Sequence, residues 1–417
     1  MNEKALRELL EAHSQTHLMR WWDELDAPAR EELARRIGEI DWSETSLHAE
    51  DGARGEISPI AGLSIDEIEK RKEEFYAVGR DAIRAGKAAA VLLAGGQGTR
   101  LGSDAPKGVY DIGVTRHLYI FEQLIRNLTE VTDACGATIP LLIMTSEKND
   151  EETRAFFEEH GCFGYPREDI YFFRQAMAPC VGLDGKLLLE DKGRLALSPN
   201  GNGGWYASLE RAGLVEKMDA RGVEWYNVFA VDNVLQRICD PVFLGATILS
   251  GAASGAKVVR KNDPHERVGV LCLEDGLPGV IEYYELSEEM ANLRGADGQL
   301  VYSFGVILNY LFRADVLKRI SRERLPLHAA KKKIPHLAPD GVFVQPETEN
   351  GYKFETLILD MVRFAGTCLP FEVVREREFA PIKNRTGTDS VDTARELLKK
   401  NGVELQWTTN FPSKRRS

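Results

Sequence analysis

The sequence predicts an α/β fold in which a mostly parallel mixed sheet is flanked by helices. A helical N-terminal lobe is expected before the sheet and a small α+β C-terminal lobe after it. The first reason is the apolar run Ala88–Ala94, which ends in glycines as a buried parallel strand does. The second is the alternation of short apolar runs with helix-period segments after it, which is typical of strands joined by crossover helices. The third is a helical period of about 3.6 in the residues before it.

Residues 1–85 form the predicted N-terminal helical lobe. Leu6 and Leu10 lie about one helical turn apart and share one helix face. Further along, Ser64 and Glu67 have the spacing of a capping box, in which each side chain bonds the backbone N–H of the other residue. A new helix is therefore expected to begin directly after Ser64.

Residues 86–325 form the predicted central domain, in which strands and helices alternate. Helical spacing is found at 118–135 and again at 150–160. Strands are predicted at 88–94, 139–145, 170–174, 223–231, 257–261, 268–273, 280–285 and 301–308. The stretch is too long for one simple repeat of strand and helix, so hairpin-like insertions are expected within it.

Residues 326–417 form the predicted C-terminal lobe. Its first part, 326–346, is rich in proline and lysine and is expected to be a crossover segment. The other predicted elements are a helix at 354–364, a strand at 368–375 and a closing helix at 391–400.

Composition and charge limit the classes of function. The formal net charge is −12, and a negative protein repels the phosphates of a long nucleic acid. No nucleic-acid partner is therefore expected. No run reaches the roughly 18 apolar residues that span a bilayer, and the charged N-terminus lacks the apolar core of a secretory signal. The six cysteines form no C-x-x-C pair, which argues against a zinc site or a disulfide framework. We therefore expect a cytoplasmic protein without a membrane partner.

A glycine-rich turn follows the first predicted strand. Residues 93–102 read LAGGQGTRLG, and the segment Pro106–Gly108 comes shortly after them. Glycines at the carboxyl end of a buried strand let the backbone turn tightly and point N–H groups at an anion. Arg100 adds a fork of donors for phosphate oxygens, and Lys107 adds a mobile positive charge. The alternative interpretation is a plain strand-to-helix turn with two surface cations.

Two other phosphate-binding loops do not fit this turn. A Walker A loop needs Lys-Ser or Lys-Thr at a fixed distance after its first glycine, and none stands there. The dinucleotide fingerprint needs a third glycine where Leu101 is found. A phosphate site in this turn is therefore expected to be of another kind.

The decapeptide and the following Pro-Lys-Gly resemble, residue for residue, the signature of the UDP-sugar pyrophosphorylase family. Within it, they most resemble the UDP-N-acetylhexosamine pyrophosphorylases. The resemblance implies the Rossmann-like fold of nucleotide-diphospho-sugar transferases. It also implies that UTP and a sugar 1-phosphate react to give a UDP-sugar and pyrophosphate. Gly95 and Gly96 are then expected to bind the nucleotide, and Arg100 and Lys107 to be catalytic cations at its β- and γ-phosphates.

Segments similar to other motifs of the family recur over most of the chain. The segment FFRQAM at 172–177 implies that Gln175 reads the uracil edge, which an amide suits because it offers both a donor and an acceptor. The turn NGNGGWY at 200–206 implies that Gly201 and Asn202 lie near the base and the sugar.

Four more polar residues stand in segments that resemble family motifs. The V-D-N resemblance implies that Asp232 holds Mg²⁺ against the phosphates. Glu282, in a V-I-E-Y segment, is expected to bind sugar hydroxyls. Lys383, in E-F-A-P-I-K-N, is expected to be a third catalytic cation, at the sugar phosphate or the α-phosphate. Lys353 stands in a K-x-E segment found in relatives and is expected to bind substrate.

The identity of the sugar is left open by these resemblances. The segment at 328–335 resembles one typical of the N-acetylhexosamine branch, which favours N-acetylglucosamine 1-phosphate. The N-A-G-N-I strand of the family, which lies beside the sugar in relatives, reads SFGVI here, so Ser303 and Val306 replace two asparagines. Trp205 replaces the leucine or isoleucine of the G-N-G-G turn. Glucose 1-phosphate, galactose 1-phosphate or a broad range of sugar 1-phosphates are therefore alternatives.

The implied reaction needs no general base, because its nucleophile is already an anion. Catalysis is expected to come from positioning and charge stabilisation, and one aspartate plus phosphate oxygens suffices for Mg²⁺. A non-catalytic UDP-sugar-binding protein is the alternative from another class, and the presence of Arg100, Lys107, Asp232 and Lys383 together counts against it. A glycosyltransferase would need a D-x-D metal motif, which the predicted central sheet lacks.

Overall fold

The computed structural model describes residues 1–42 and 54–406. They divide by compactness into two units, and each is described by itself. The first, called the sheet unit, comprises residues 54–174, 207–322 and 362–406. The second, called the small-sheet unit, comprises residues 1–42, 175–206 and 323–361. The three domains predicted along the chain, 1–85, 86–325 and 326–417, stay a prediction.

Helices and strands follow one another along most of the described residues. The helices are, in chain order, α1 Glu3–Ala12, α2 Ala27–Gly38, α3 Ile65–Lys70, α4 Lys72–Arg84, α5 Ile120–Cys135, α6 Asp150–Glu159, α7 Trp205–Arg211, α8 Leu214–Ala220, α9 Pro241–Ser250, α10 Glu288–Asn292, α11 Ala314–Ile320, α12 Ile358–Ala365, α13 Arg375–Glu378 and α14 Val391–Lys400. The strands are β1 Ile57–Ser58, β2 Ala88–Leu93, β3 Leu141–Thr145, β4 Ile170–Arg174, β5 Met177–Pro179, β6 Val181–Gly182, β7 Leu189–Asp191, β8 Arg194–Leu195, β9 Leu197–Pro199, β10 Trp225–Ala230, β11 Ser254–Arg260, β12 Val270–Glu274, β13 Leu277–Ile281, β14 Phe304–Arg313, β15 His328–Lys332, β16 His336–Leu337, β17 Phe343–Val344, β18 Gly351–Glu355 and β19 Cys368–Glu372.

The sheet unit is built on one ten-stranded sheet, and the parallel half of that sheet carries the glycine-rich turn. Strands β10, β2, β3 and β4 lie side by side in that order, all parallel. Strand β2 is buried along its whole length. This explains why the sequence of β2 is apolar at every position, since both faces of a parallel sheet are covered.

The other half of the sheet is largely antiparallel. Strand β14 pairs antiparallel with β10, β11 and β12, and β19 pairs parallel with β11. The predicted fold class, an α/β fold with a mostly parallel mixed sheet flanked by helices, is confirmed. The capping box at Ser64 is confirmed as well, at the start of α3.

Strand β13 corrects one prediction, because it ends at Ile281 and not at residue 285. It forms a hairpin with β12 through Asp275 and Gly276, whose φ angles of 52° and 77° suit a two-residue turn. The turn fixes the register, so Ile281 pairs with the first residue of β12 and no partner remains beyond it. Glu282 therefore follows the strand. The helical expectation for residues 1–85 also misses β1, which pairs with β12.

Helices α4 and α9 pack so closely that glycine is required at the contact. A Cβ on Gly245 would lie 1.8 Å from the carbonyl oxygen of Phe75, and one on Gly79 would lie 1.9 Å from that of Pro241. Asp240 caps the N-terminus of α9, where its carboxylate accepts the backbone N–H of Val242 at 3.1 Å. The tight contact therefore fixes where this capped end lies.

The small-sheet unit contains a three-stranded antiparallel sheet in the order β15, β18, β6. Leu6 and Leu10 of α1 are fully buried, as predicted. The helix predicted at 354–364 is wrong at its beginning, because Phe354 pairs with Ala329 in β18 and the helix starts at Ile358. A short apolar run suits a strand as well as a helix. None of the helices in the described ranges has the length and apolar character that crossing a bilayer requires.

Candidate active site

The glycine-rich turn after β2 folds back on itself through backbone hydrogen bonds. The N–H of Lys107 donates to the carbonyl of Gly96 at 3.1 Å, and the N–H of Gly98 donates to the carbonyl of Ala105 at 2.9 Å. These two bonds close residues 96–107 into a compact loop at the carboxyl edge of the parallel strands. Ligands of open α/β sheets bind beyond this edge.

Three backbone N–H groups of the turn, those of Gly95, Gly96 and Gln97, find no acceptor within residues 1–42 and 54–406. The φ angle of Gly96 is outside the left-handed region, and a Cβ placed on it would meet nothing within 4 Å. Glycine at this position is therefore not needed for the turn itself. Its effect is to leave open space in front of three donors, which is the form of an anion-binding concavity.

Asn149 holds the turn from the end of β3. This residue is fully buried, and its Nδ2 donates to the carbonyl oxygens of Ala94 at 2.9 Å and of Gly96 at 3.4 Å. Its Oδ1 accepts the backbone N–H of Ser146 at 2.7 Å. Sequence reasoning missed this residue. The available signal was a polar side chain shortly after a predicted strand, on the sheet edge where ligands bind.

Lys107 and Asp232 form a partly buried ion pair beside the turn. The Nζ–Oδ2 distance is 3.8 Å, and the two side chains are 16% and 26% exposed. Asp232 follows β10, which runs parallel to β2, so its carboxylate lies at the same sheet edge. Burial lowers the pKa of Lys107; Asp232 counteracts this, and the charges of Arg100 and Lys383 lower the pKa further. The predicted cations and the predicted aspartate are thus brought together.

Lys383 is held by the segment around it. Its Nζ lies 3.1 Å from a carboxylate oxygen of Asp389, and its backbone N–H donates to the Asp389 carbonyl at 2.7 Å. The residue before Lys383 is bonded to Asp232, because the N–H of Ile382 donates to the Asp232 carbonyl at 2.8 Å. Asn233 also forms an antiparallel bridge with Pro381. Backbone bonds therefore set the spacing between the aspartate and this cation.

A second feature that sequence reasoning missed is the burial of the lysine at position 257. Its side chain is fully buried and forms ion pairs with Asp240 and Glu378. A lysine within the strand predicted at 257–261 was the available signal, because buried lysines are rare unless paired.

Glu282 lies one residue past β13, in the antiparallel half of the sheet. Burial, together with the charge of Glu285, raises the pKa of its carboxyl. A Cβ on Gly269 would lie 3.6 Å from Oε1 of Glu282 and 3.5 Å from Cγ2 of Val306. The side chains of Glu282 and Val306 therefore both lie close to the space that a side chain at residue 269 would occupy. Val306 is one of the two departures from the motif that residues 303–307 resemble.

The remaining predicted site residues belong to the small-sheet unit. Gln175 is buried, and its Nε2 donates to the carbonyl of Gly201 at 2.7 Å. Gly201 has a φ of 87°, and a Cβ on it would lie 2.2 Å from the carbonyl oxygen of Thr356. Asn202 accepts the backbone N–H of Ile358 at 2.9 Å through Oδ1. One end of each amide is thus bonded within the unit.

Lys353 stands in the middle of β18, opposite Ala330 of β15, and is partly buried. Its positive charge reaches the thiol of Cys180, whose pKa burial nevertheless raises. Strand β18, which contains Lys353, ends directly before Thr356.

The described residues contain no cluster of three or more carboxylate, thiol or imidazole side chains that could hold a metal ion. A metal bound by Asp232 would therefore take most of its ligands from elsewhere. Mg²⁺ is held in this way in many phosphate sites, by one or two carboxylates, water and substrate phosphates.

Known proteins resemble this chain over most of its length. The family model for UTP–glucose-1-phosphate uridylyltransferase matches residues 39–406. The human UDP-N-acetylhexosamine pyrophosphorylase-like protein 1 is 38% identical over 428 aligned residues, which cover 95% of this chain and 84% of that protein. The UDP-N-acetylglucosamine pyrophosphorylase of Saccharomyces cerevisiae is 41% identical over 358 residues, covering 82% and 74%.

A solved structure resembles the fold closely. The uridine diphosphate N-acetylglucosamine pyrophosphorylase from Trypanosoma brucei, crystallised in complex with an inhibitor, matches with a TM-score of 0.82. The sequence identity is 28%, and the match covers 95% of this chain and 84% of that chain.

Proposed function

Because the chain belongs to the UDP-sugar pyrophosphorylase family, we propose that it converts UTP and N-acetylglucosamine 1-phosphate into UDP-N-acetylglucosamine and pyrophosphate. The observation that carries the proposal is the meeting of three unused backbone N–H groups with Lys107 and two further cations. Such a set of donors suits a polyanion and nothing apolar. The yeast relative and the Trypanosoma brucei structure are both named for UDP-N-acetylglucosamine, which supports this sugar.

The reaction is a displacement at phosphorus. An oxygen of the sugar 1-phosphate attacks the α-phosphorus of UTP, a new P–O bond forms, and the bond to pyrophosphate breaks. The nucleophile is an anion, so no side chain needs to accept a proton. The protein instead holds two polyanions in line and offsets the charge that develops on the leaving group.

Each cation has a proposed place in this displacement. Arg100 and Lys107 bind the β- and γ-phosphates and stabilise the leaving pyrophosphate. The N–H groups of residues 95–97 bind phosphate oxygens beside them. Lys383 binds the sugar phosphate or the α-phosphate, and its bond to Asp389 keeps it ready in the absence of substrate.

Asp232 is the proposed protein ligand of Mg²⁺, the proposed cofactor. The residues fit this ion: one partly exposed carboxylate stands next to a phosphate site, and Lys107 lies 3.8 Å away, at the long end of an ion pair. When bound, Mg²⁺ would supply charge neutralisation to the phosphates. Asp232 would also fix its position relative to the turn through the backbone of β10.

The base and the sugar have proposed partners of their own. The Nε2 of Gln175 is bonded to Gly201, and its amide oxygen would accept a hydrogen bond from the uracil edge. Gly201, Asn202 and Lys353 would line the substrate, and Glu282 would accept hydrogen bonds from sugar hydroxyls. A carboxylate suits that task because each oxygen can accept more than one hydrogen bond.

A second candidate keeps the chemistry and changes the sugar to glucose 1-phosphate, galactose 1-phosphate or several sugars. Val306 favours this candidate, because it puts an apolar side chain in the neighbourhood of Glu282, at a position where the motif that this segment resembles has an asparagine. The matching family model is itself named for glucose 1-phosphate. A non-catalytic UDP-sugar-binding protein is the remaining alternative.

One assay separates these candidates. Pyrophosphate release is measured with the purified protein, UTP, Mg²⁺ and each of four sugar 1-phosphates: N-acetylglucosamine, N-acetylgalactosamine, glucose and galactose. We expect the highest kcat/KM with N-acetylglucosamine 1-phosphate. Equal values for all four sugars would contradict the sugar assignment, and binding of UDP-sugar without any turnover would support the non-catalytic alternative.

The proposed setting is the cytoplasm, without a nucleic-acid or membrane partner. All six cysteines are free within the described residues, as expected of a reducing compartment, and five of them are buried. The net charge of −12 supports the absence of a nucleic-acid partner.

A further inference from the structure

We propose that Lys257 is a positioning residue, which acts through Glu378 and Asn233 to fix Asp232 and Lys383 in the site. This inference rests on the proposed function and goes beyond it, since Lys257 is expected to touch no substrate. Its side chain is completely buried in the middle of β11. A buried ammonium needs paired partners, because removing a charge from water is costly unless opposite charges and hydrogen bonds compensate for it.

The partners of Lys257 use all three of its N–H donors. Its Nζ lies 2.5 Å from Oε2 of Glu378, 3.1 Å from Oδ2 of Asp240 and 3.2 Å from the carbonyl oxygen of Arg237. Asp240 caps α9, and Glu378 is the last residue of α13. Lys257 therefore ties the beginning of one helix and the end of another to the same strand.

Glu378 connects this buried cluster to the site. Its backbone carbonyl accepts Nδ2 of Asn233 at 2.8 Å, and Oδ1 of Asn233 accepts the N–H of Ala380 at 2.9 Å. Asn233 is 1% exposed and directly follows Asp232. One asparagine thus joins the residue after the proposed metal ligand to the segment that begins at Glu378.

The segment that begins at Glu378 continues to Lys383. Ala380 accepts the N–H of Val234 at 3.3 Å through its carbonyl, and Ile382 donates to the Asp232 carbonyl at 2.8 Å. Lys383 is the next residue along the chain. Both ends of the proposed phosphate site, Asp232 and Lys383, are therefore linked through a few hydrogen bonds to one buried lysine.

Stability alone does not explain this cluster. Replacing a buried ion pair with well-packed hydrophobic residues of similar volume is often neutral or stabilising, so the charges are weak evidence for a purely structural role. A geometric role accounts for them better, because misplacing a catalytic group by about 1 Å can cost on the order of 100-fold in rate.

The test compares two matched amide variants, Glu378→Gln and Asp240→Asn. Each removes one negative charge and leaves Lys257 one carboxylate, but only Glu378 lies on the path to Asp232 and Lys383. With saturating UTP, Mg²⁺ and N-acetylglucosamine 1-phosphate, we expect Glu378→Gln to lower kcat about 10- to 100-fold with KM values within about twofold. We expect Asp240→Asn to stay within about twofold of the wild type in kcat. Equal kcat for the two variants would overturn the proposal.

A third variant removes the charges together: Lys257→Met, Asp240→Asn and Glu378→Gln in one chain. It leaves no uncompensated charge buried, so we expect its melting temperature to lie above that of Lys257→Met alone, while kcat falls below that of the wild type. A wild-type kcat in this variant would overturn the proposal. Lys257→Met alone is less informative, because it removes the ammonium that pairs with the buried carboxylate of Glu378.

A crystal structure of Glu378→Gln keeps this test apart from the proposed reaction. We expect the side chains of Asp232 and Lys383 to be displaced relative to the wild type. Unchanged positions of both would overturn the positioning role whichever reaction the protein catalyses. A wild type without UDP-sugar synthesis, in contrast, would contradict the proposed function.

Discussion

At the scale of single residues, Lys107 makes the charge of the site sensitive to pH. Burial lowers its pKa, so the ammonium loses its proton at a lower pH than the ordinary value of 10.5. The proposed role needs the charged form, so kcat/KM, which reports the free enzyme, should fall on the alkaline side below that value. Arginine keeps its proton throughout this range. We expect Lys107→Arg to retain part of the activity and to move the alkaline fall to higher pH.

The control for this profile is Lys72→Arg. Lys72 is exposed and pairs with the exposed Glu69. We expect its pH profile to overlay that of the wild type. A profile of Lys107→Arg that falls at the same pH as the wild type would show that another group titrates.

Gly96 gives a second prediction at this scale, because folding and binding place different demands on it. A Cβ there meets no protein atom within 4 Å, so Gly96→Ala should leave the melting temperature nearly unchanged. The added methyl would stand in front of the free N–H groups and keep a phosphate away. We expect the affinity for UTP to fall on the order of tenfold or more, about 1.4 kcal/mol, as measured by titration calorimetry.

Gly108→Ala is the contrasting variant in the same turn. Its Cβ would lie 2.2 Å from the ring of Phe121, so this variant should lose stability first. If Gly96→Ala bound UTP as tightly as the wild type, the turn could not be the phosphate site.

Sequence motifs identified a group of residues that lie near one another in the structure, and the roles of these residues stay a prediction. Arg100, Lys107, Asp232 and Lys383 stand in short motifs, and the structure brings them together as one charged group. Asn149 and Lys257 were missed because their partners are distant in sequence, more than 50 residues away for Asn149 and Ala94 and more than 100 for Lys257 and Glu378. Such partners become visible only when the strands are placed side by side.

At the scale of elements, the close contact between α4 and α9 predicts a large cost for a single methyl group. A Cβ on Gly245 would lie 1.8 Å from the Phe75 carbonyl, and backbone cannot give way as a side chain can. Forcing atoms into a packed contact typically costs about 1–3 kcal/mol. We expect Gly245→Ala to lower the melting temperature by several degrees in a thermal unfolding experiment. A melting temperature equal to that of the wild type would contradict the close packing.

Element boundaries show where sequence patterns stop being informative. The strand at 170–174 and the helix at 391–400 are confirmed to the residue, and a serine cap marks where the helix begins. Strand β13 and the helix after β18 were placed wrongly, because pairing with a partner strand decides where they end or begin. The apolar pattern of a segment does not show which strand it pairs with.

At the scale of the whole molecule, ligand binding should appear as added stability. A ligand that binds only the folded state stabilises it by about 2.7 kcal/mol at 100 times its Kd. We expect UTP with Mg²⁺ to raise the melting temperature of the wild type, and Asp232→Asn to reduce that rise. An equal rise with inorganic phosphate at the same concentration would contradict specific nucleotide binding.

The central claim is that the glycine-rich turn after β2 binds the phosphates of UTP. A crystal structure of the protein with UTP and Mg²⁺ tests it most directly. The predicted result is that phosphate oxygens lie within hydrogen-bond distance of the backbone N–H groups of residues 95–97, with the side chains of Lys107 and Arg100 beside them. A nucleotide whose phosphates lie elsewhere, with those N–H groups still unused, would contradict the claim.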